Sequence, residues 1–488
     1  MNRALALLIP VIAGLAAALG QAPWELSWLA LIGYALGFWA VARSRRVFLM
    51  GWLFGAAHFG LALNWIVEPF FVDAAATAFL APVALLMSAF GFGLFWAVGC
   101  WAGVRVLGGP LGAALGLGFL EVARSYVLTG FPWALPGHIL IGTDALTAAS
   151  LAGAHGLGFA VLVGAGLVAM RRPMAAGLGL ALWAAPFLYA ATLTSAPAAD
   201  GPVIRLVQPN APQHLKWDPD WINVFFRRGL QETAAPGDPV ATIWPETSLP
   251  ELLRHSGDIR SMIAAASGGT PVVAGAQRYG EDRRPRNALV VLTGEDGDIS
   301  LVHDKHRLVP FGEYLPFPAV FDRLGIGPMA AQLAGIFAAG DGPSLIDLPG
   351  VGPVLPMICY EAIFPQDIRR VDRPRAILHL TNDAWFGTRA GPQQHLALAR
   401  LRAAESGLPL LRAANTGVSA AIDARGQVVD YLPLGETGHV DAALPGVLPP
   451  TIYVRVGDAM ALLWFAALGT ALLAWRRRNR VEHPPVSP

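Results

Sequence analysis

Residues 353–361 read Pro353-Val354-Leu355-Pro356-Met357-Ile358-Cys359-Tyr360-Glu361. The apolar run predicts a short buried strand over Val354–Cys359, after which Ala362-Ile363-Phe364-Pro365 turns the chain. A thiol delivered at the exit of a buried strand is held rigidly and still faces a cleft. That makes Cys359 a candidate nucleophile. The plainer reading is a small buried core residue.

Outward from this strand, residues 201–450 alternate short apolar strands with helical stretches. Strands are expected at Val203–Gln208, Pro239–Trp244, Pro271–Gln277 and Ala376–Thr381. Asn287–Thr293 and Ile299–His303 flank Gly294-Glu295-Asp296-Gly297-Asp298, a hairpin signal, and Val418–Asp423 and Val428–Tyr431 flank a second one. Helices are expected near 219–234, 256–267 and 392–406. The pattern is that of a layered α/β domain.

The rest of the chain is different. Of 488 residues, 54% are hydrophobic and only 14% charged, and mean hydropathy is +0.49, a composition of integral membrane proteins. A net charge of +1 gives no reason to expect nucleic acid. Apolar runs lie at roughly 4–20, 26–42, 47–67, 77–104, 112–128, 156–170 and 175–193, with an eighth at Ala459–Trp475. Most approach the ~20 residues that cross a bilayer. With the N-terminus in the cytoplasm, Arg43, Arg45, Arg46, Arg105, Arg171, Arg172 and Arg476–Arg478 fall on one side and Arg124 is the exception. The positive-inside rule then puts 201–450 outside the cytoplasm. Cys100 falls near the inner face, beyond disulfide reach of Cys359. His58, Asn64, Glu68, Glu121 and Arg124 are polar at membrane depth, and Glu121 and Arg124 are spaced to pair on one helix face. The domains expected are helices one to seven in 1–196, the extracytoplasmic domain in 201–450, a last helix in 457–477 and a cytoplasmic tail in 478–488.

Attack of a thiol on a carbonyl needs a base, a positive group near the developing oxyanion and a proton for the leaving group. Trp244-Pro245-Glu246 brings a carboxylate out at a strand end, and apolar neighbours there suit a general base. Arg supplies all but two of the basic residues other than His, the exceptions being Lys216 and Lys305. Lys305, in His303-Asp304-Lys305-His306-Arg307, offers an oxyanion partner and a charge that holds Cys359 as thiolate. A solvated acid and a solvated basic loop are the plainer readings of these two segments. His303 and His306 raise a metal site, but the sequence shows no Cys or carboxylate set to complete one. Glu313, in Pro310-Phe311-Gly312-Glu313-Tyr314, and Glu361 are accessory candidates. Trp217, Trp385 and Phe386 place aromatics near strand ends, for a cleft or for core packing. The role of His395 stays open.

A Glu on Trp244-Pro245-Glu246, a Lys on residues 304–314 and a Cys on Ile358-Cys359-Tyr360-Glu361, in that order, resemble the Glu-Lys-Cys triad of the nitrilase superfamily. Thr129-Gly130-Phe131-Pro132-Trp133, Gln208-Pro209-Asn210, Lys216-Trp217, the run 381–387, Gln394-His395 and the run 412–420 are similar to one branch, the apolipoprotein N-acyltransferases. The resemblance implies an αββα sandwich on a bundle of about eight transmembrane helices. It implies transfer of an acyl chain from a membrane phospholipid to the α-amino group of the N-terminal diacylglyceryl-cysteine of apolipoproteins. Glu246 would be the base, Lys305 the oxyanion residue, Cys359 the nucleophile and Glu313 an essential accessory acid. Tyr360, Glu361 and Trp217 match positions the family is thought to need. No metal or organic cofactor is implied. The partners expected are the phospholipid donor, the diacylated apolipoprotein and the membrane, and the chain is expected to be a monomer in the bacterial inner membrane with its catalytic domain on the periplasmic side. A membrane-tethered nitrilase-type amidase is the alternative enzyme. A polytopic receptor or transporter is the alternative outside enzymes, and would give Cys359 no role.

Overall fold

The structure, a computed structural model, describes residues 3–194, 197–323, 325 and 337–482. Two compact units divide the chain: Met1–Thr194 with Thr451–Pro488, and Ser195–Pro450.

In the first unit all eight apolar runs form helices: Arg3–Ala18, Ser27–Arg43, Val47–Ala62, Ala81–Val106, Gly109–Arg124, Ala149–Val168, Pro173–Ala191 and Ala459–Glu482. Four segments are long and apolar enough to cross a membrane: Ala74–Val106, Asp144–Val168, Pro173–Ala191 and Ala459–Asn479. Val47–Ala62 with Asn64–Phe71, bent by 47°, makes a fifth if the pair is one span. Ala6–Ala18 and Ser27–Arg43 are apolar but shorter. The helical membrane region thus has at least four candidate spans, and the count of eight stays an expectation. The run 112–128 is helical only to Arg124, because Leu128 and Gly130 take φ of 61° and 70°. The tail expected from 478 continues the last helix through Glu482, in keeping with the helix propensity of its arginines, and 483–488 lie outside the described residues, as do 195–196.

Arg124 departs from the charge asymmetry because it is buried, not in a connection. Its Nη2 lies 2.6 Å from Glu121 Oε2, with both side chains 1% exposed. Trp96 Nε1 donates to Glu121 Oε1 at 3.0 Å, and Arg124 also donates to the carbonyls of Phe131 (2.6 Å) and Trp133 (3.0 Å). Every charge in the group is therefore met by a partner, as burial demands. Gly99 and Gly103 on one helix meet Gly112 and Gly116 on the next. A Cβ at Gly103 would stand 1.9 Å from Gly112 O, and one at Gly116 would stand 2.0 Å from Gly99 O. Two small residues four apart on each helix let the backbones touch.

The second unit has, among the described residues, two six-stranded sheets. Its strands are β1 (Val203–Gln208), β2 (Ala241–Ile243), β3 (Val272–Tyr279), β4 (Pro285–Thr293), β5 (Asp298–Asp304), β6 (Ile346–Leu348), β7 (Gly352–Ile358), β8 (Ala376–Thr381), β9 (Leu410–Ala414), β10 (Ser419–Ile422), β11 (Val428–Leu432) and β12 (Gly438–Ala443). The orders are β12-β1-β2-β3-β4-β5 and β11-β10-β9-β8-β7-β6. Alternation along the strands sorts the side chains into three cores. Ile204, Leu206, Val354, Ile358 and Leu378 pack in a core shared by both sheets. Val207, Trp244 and Val290 pack with Phe226 of helix Ile222–Thr233 and Ile263 of helix Gly257–Ser267. Leu355, Met357 and Ile377 pack with Ala399 and Ala403 of helix Gly391–Ser406. The unit is an αββα sandwich. Parallel pairings β1–β2–β3 and β7–β8–β9 form the middle of each sheet, and the chain beyond β8 meets the chain beyond β2, where the Asn382 N–H reaches Glu246 Oε2 at 3.0 Å.

Candidate active site

Each principal candidate leaves the end of a strand. Beyond β2, Trp244 and Pro245 carry the chain to Glu246. Gly275 of β3 passes against this loop so closely that a Cβ would lie 2.2 Å from Thr247 N and 2.5 Å from Pro245 O. With glycine there, Gly275 N bonds Pro245 O at 3.1 Å and Gly275 O takes Ser248 N at 2.8 Å, which fixes the loop. Lys305 follows β5, its N–H bonded to Asn287 O at 2.8 Å. Cys359 follows β7 and opens the 3-10 turn Cys359–Ile363. The strand stops one residue short of the expected Val354–Cys359 because Cys359 has φ of 52°, outside any strand conformation.

Lys305 Nζ lies 3.1 Å from Glu246 Oε1 and 2.9 Å from Glu313 Oε1, and Lys305 is 1% exposed. Asn287 Nδ2 donates to the same two oxygens at 2.7 and 3.3 Å, and the Asn382 N–H donates to Glu246 Oε2 at 3.0 Å. Glu313 Oε2 accepts from Val309 N at 2.8 Å. The surroundings of Glu246 are thus not the apolar ones expected from Trp244 and Pro245, but a ring of donors. Burial alone would lower the pKa of Lys305, yet Glu246 and Glu313 raise it well above the usual lysine range, so it is an ammonium. Cys359 is buried and free, as is Cys100. Burial pushes the Cys359 thiol up and Glu246 adds to this, while Lys305 pulls the other way and does not prevail. The expectation that Lys305 holds Cys359 as thiolate is therefore corrected: the resting group is the neutral thiol.

Glu361 is fully buried and props the turn. Its Oε1 accepts from the N–H of His306 (2.7 Å) and Arg307 (3.1 Å), and its Oε2 from Ile358 N (2.7 Å). His306 sits between two carboxylates, with Nδ1 2.7 Å from Glu361 Oε1 and Nε2 3.0 Å from Asp367 Oδ2. Burial would lower its pKa, but these carboxylates raise it to about 9. His303, His306 and Glu361 place ligand atoms within 4.8 Å of one another, so Glu361, an accessory candidate in the sequence, stands beside the two histidines. Both Glu361 oxygens are nevertheless spent on backbone N–H groups, and the group is a hydrogen-bond knot. Tyr360 is buried and stacks edge-on to Phe364 at 5.1 Å. Trp217 and Trp385 are 43% and 40% exposed, while Phe386 packs against the shared core and edge-on to His395 at 5.5 Å. The structure thus joins Glu246, Lys305 and Glu313 directly, ties Glu361 to the same turn as Cys359, and leaves Trp217 and Trp385 at the surface.

Sequence reading missed Asn287, Asn382 and Asp367, which are ordinary polar residues until the sheets bring them together. It noted Lys216 as one of two lysines and as part of the Lys216-Trp217 motif, and gave it no role. That residue is 8% exposed, bonds Glu246 O at 3.3 Å and has its pKa lowered by burial to about 8. Lys216, Trp217, Phe225, Phe226, Trp244 and Glu246 line one cleft.

The family model described as the apolipoprotein N-acyltransferase N-terminal domain matches residues 13–167, and the carbon-nitrogen hydrolase model matches residues 243–450. An apolipoprotein N-acyltransferase of Caulobacter vibrioides is 39% identical over 93% of this chain and 92% of its own length. One of Rhodopseudomonas palustris is 35% identical over 96% of this chain and 95% of its own. Among solved structures, an amidase from Nesterenkonia sp. is 16% identical over 54% of this chain and 95% of that one, with a TM-score of 0.35. The chain belongs to the apolipoprotein N-acyltransferase family.

Proposed function

We propose that this chain transfers an acyl chain from a membrane phospholipid to the α-amino group of the N-terminal diacylglyceryl-cysteine of an apolipoprotein, through a thioester on Cys359. Glu246 takes the thiol proton as sulfur attacks the ester carbonyl, and the Lys305 ammonium faces the oxyanion. Collapse expels the lysophospholipid alkoxide, which receives that proton from Glu246, and leaves the acyl thioester. The acceptor amine then attacks. Glu246 removes a proton from the amine, and the Cys359 thiolate leaves and is reprotonated. Glu313 shares Lys305 with Glu246 and sets the ammonium's position. Both substrates are lipids, so a catalytic unit tied to the membrane removes a search through water.

The observation that carries this reading is the buried Lys305 held between Glu246 and Glu313, on the strand-end side that also delivers Cys359. Its neutral thiol agrees with a mechanism in which a base acts during attack. The domain bounds, eight spans, periplasmic placement and monomeric state given above belong to the same proposal. The test is incubation in detergent with a phospholipid labelled in its acyl chain and no acceptor, followed by neutral hydroxylamine. A hydroxylamine-labile label on the wild type, absent from Cys359→Ala, is expected. No label on the wild type would sink the reading, and release of an acid from a simple amide would favour the amidase.

A further inference from the structure

Behind the cysteine lies a set of buried charged groups that the proposed steps do not use. The φ of 52° at Cys359 is left-handed, a conformation that a residue with a Cβ keeps only where its surroundings impose it. Two histidines meet its carbonyl oxygen: His379 Nε2 at 3.1 Å and His395 Nε2 at 3.3 Å. On the far side of His379, Nδ1 lies 2.9 Å from Arg412 Nη1. Arginine can only donate, so Nδ1 is the bare nitrogen and Nε2 carries the hydrogen given to Cys359 O. Burial, with Arg412 beside it, holds the pKa of His379 well below the usual range, in keeping with one neutral tautomer.

Arg412 is fixed in turn. It is paired with Asp383, and its Nε donates to Val418 O at 3.1 Å. Asp383 also accepts from Thr381 Oγ1 at 2.9 Å and faces His395 Nδ1 at 2.8 Å. His379, Asp383, His395 and Arg412 are each 0% exposed. Burying an ion pair costs desolvation that apolar packing would avoid, so stability alone does not account for it.

We propose that Asp383 and Arg412 aim His379, and that His379 is a positioning residue whose Nε2–H clamps the Cys359 carbonyl. Because the peptide is planar, clamping that oxygen sets the plane of the Cys359–Tyr360 peptide, and with it the backbone from which Sγ is directed at the substrate carbonyl. The proposal rests on Cys359 being the nucleophile.

The test compares His379→Gln, His379→Asn and His379→Leu in the full-length protein. Glutamine reaches far enough to set an amide N–H near the place of Nε2, asparagine is too short, and leucine has no donor. Single-turnover formation of the acyl-enzyme is followed against donor concentration, and thermal unfolding of the same preparations reads folding. The expected result is a loss of about 100-fold in rate for Leu and Asn, with donor half-saturation within about two-fold, and recovery to within about five-fold in Gln. A Leu or Asn variant as fast as Gln, or a Gln variant as slow as Leu, overturns the proposal. So does unfolding of both Leu and Asn beside an active Gln variant, which would make the donor a requirement of the fold alone. Cys359→Ala, run alongside, reads the nucleophile separately. A label surviving in it removes the proposed function, whatever the His379 series shows.

Discussion

At Cys359 two carboxylates, Glu246 and Asp383, and one ammonium, Lys305, compete over one thiol, and the carboxylates win. Glu246 adds to burial in raising the thiol, against the pull of Lys305. Glu246→Gln should therefore separate two roles: the pH midpoint for alkylation of Cys359, read by mass spectrometry of its peptide, should move down while turnover falls by about 10³-fold or more. An unchanged or higher midpoint would contradict the charge balance. Lys305→Arg should lose most activity although it keeps the charge, because a planar guanidinium cannot occupy the point between Glu246 and Glu313. Near-normal turnover would count against Lys305. His306 gives a pH prediction with a definite sign. Its pKa is raised from 6.5 to about 9, so its contribution to stability is complete below pH ~6.5 and is lost as pH rises through about 9. The carboxyls of Glu361 and Asp367, where burial is outweighed by His306 and by Arg307 respectively, are lowered instead, and their contribution is lost on the acid side. The melting temperature should fall by several degrees from pH 6.5 to 9.5, and His306→Gln should flatten that slope. An equal slope in the variant would rule His306 out as its source. At this scale Glu246, Lys305 and Cys359 could be nominated from the chain because each follows closely on the end of a strand, while Glu313, nine residues past β5, was singled out by its motif alone. The protonation state of the thiol was not, because it depends on distances in space that residue order does not contain.

Among elements, legibility followed the apolar pattern. Ala376–Thr381 matched its strand to the residue because it is buried and uninterrupted. Strand β9 was missed because Arg412 stands in the middle of it. A guanidinium argues for a loop until Asp383 and His379 are found to receive it. Strand β12 was missed for a similar reason: Asp441 interrupts it, and its partner Arg205 lies far away in sequence on β1. Buried ion pairs hide strands from a reading based on hydropathy. In the helical unit the hidden feature is the opposite, a lack of side chains. Gly103 and Gly116 let the helices Ala81–Val106 and Gly109–Arg124 meet at backbone distance, so Gly116→Leu must push them apart. Overpacking of this kind costs about 1–3 kcal/mol or more. We expect a lower melting temperature and poor yield for Gly116→Leu, against little change for Gly91→Ala, whose added Cβ would meet nothing within 4 Å. Equal behaviour of the two would show that the seam is not a tight contact.

For the whole molecule, the question is which side of the membrane the sandwich occupies. The chain enters it after the apolar helix Pro173–Ala191 and leaves it before the apolar helix Ala459–Glu482, so both ends of the unit are tied to membrane segments. Arginine asymmetry provides the direction. Arg171 and Arg172 precede one of these helices, and Arg476–Arg478 lie toward the end of the other. The positive-inside rule assigns both clusters to the cytoplasm, and the proposal that the sandwich lies on the opposite face rests on that assignment. Arg124, the residue that weakened this count, is removed from it by its burial against Glu121. The native cysteines are both buried, so introduced cysteines can report topology over a low background. Glu295→Cys, on the exposed turn between β4 and β5, should react with a membrane-impermeant maleimide in cells whose outer membrane alone has been opened. Arg172→Cys should react only after the inner membrane is broken. The reverse pattern would place the thiol and both lysines in the cytoplasm. An acyl transfer to lipoproteins at the outer face would then be impossible for this chain, whatever the geometry around Cys359.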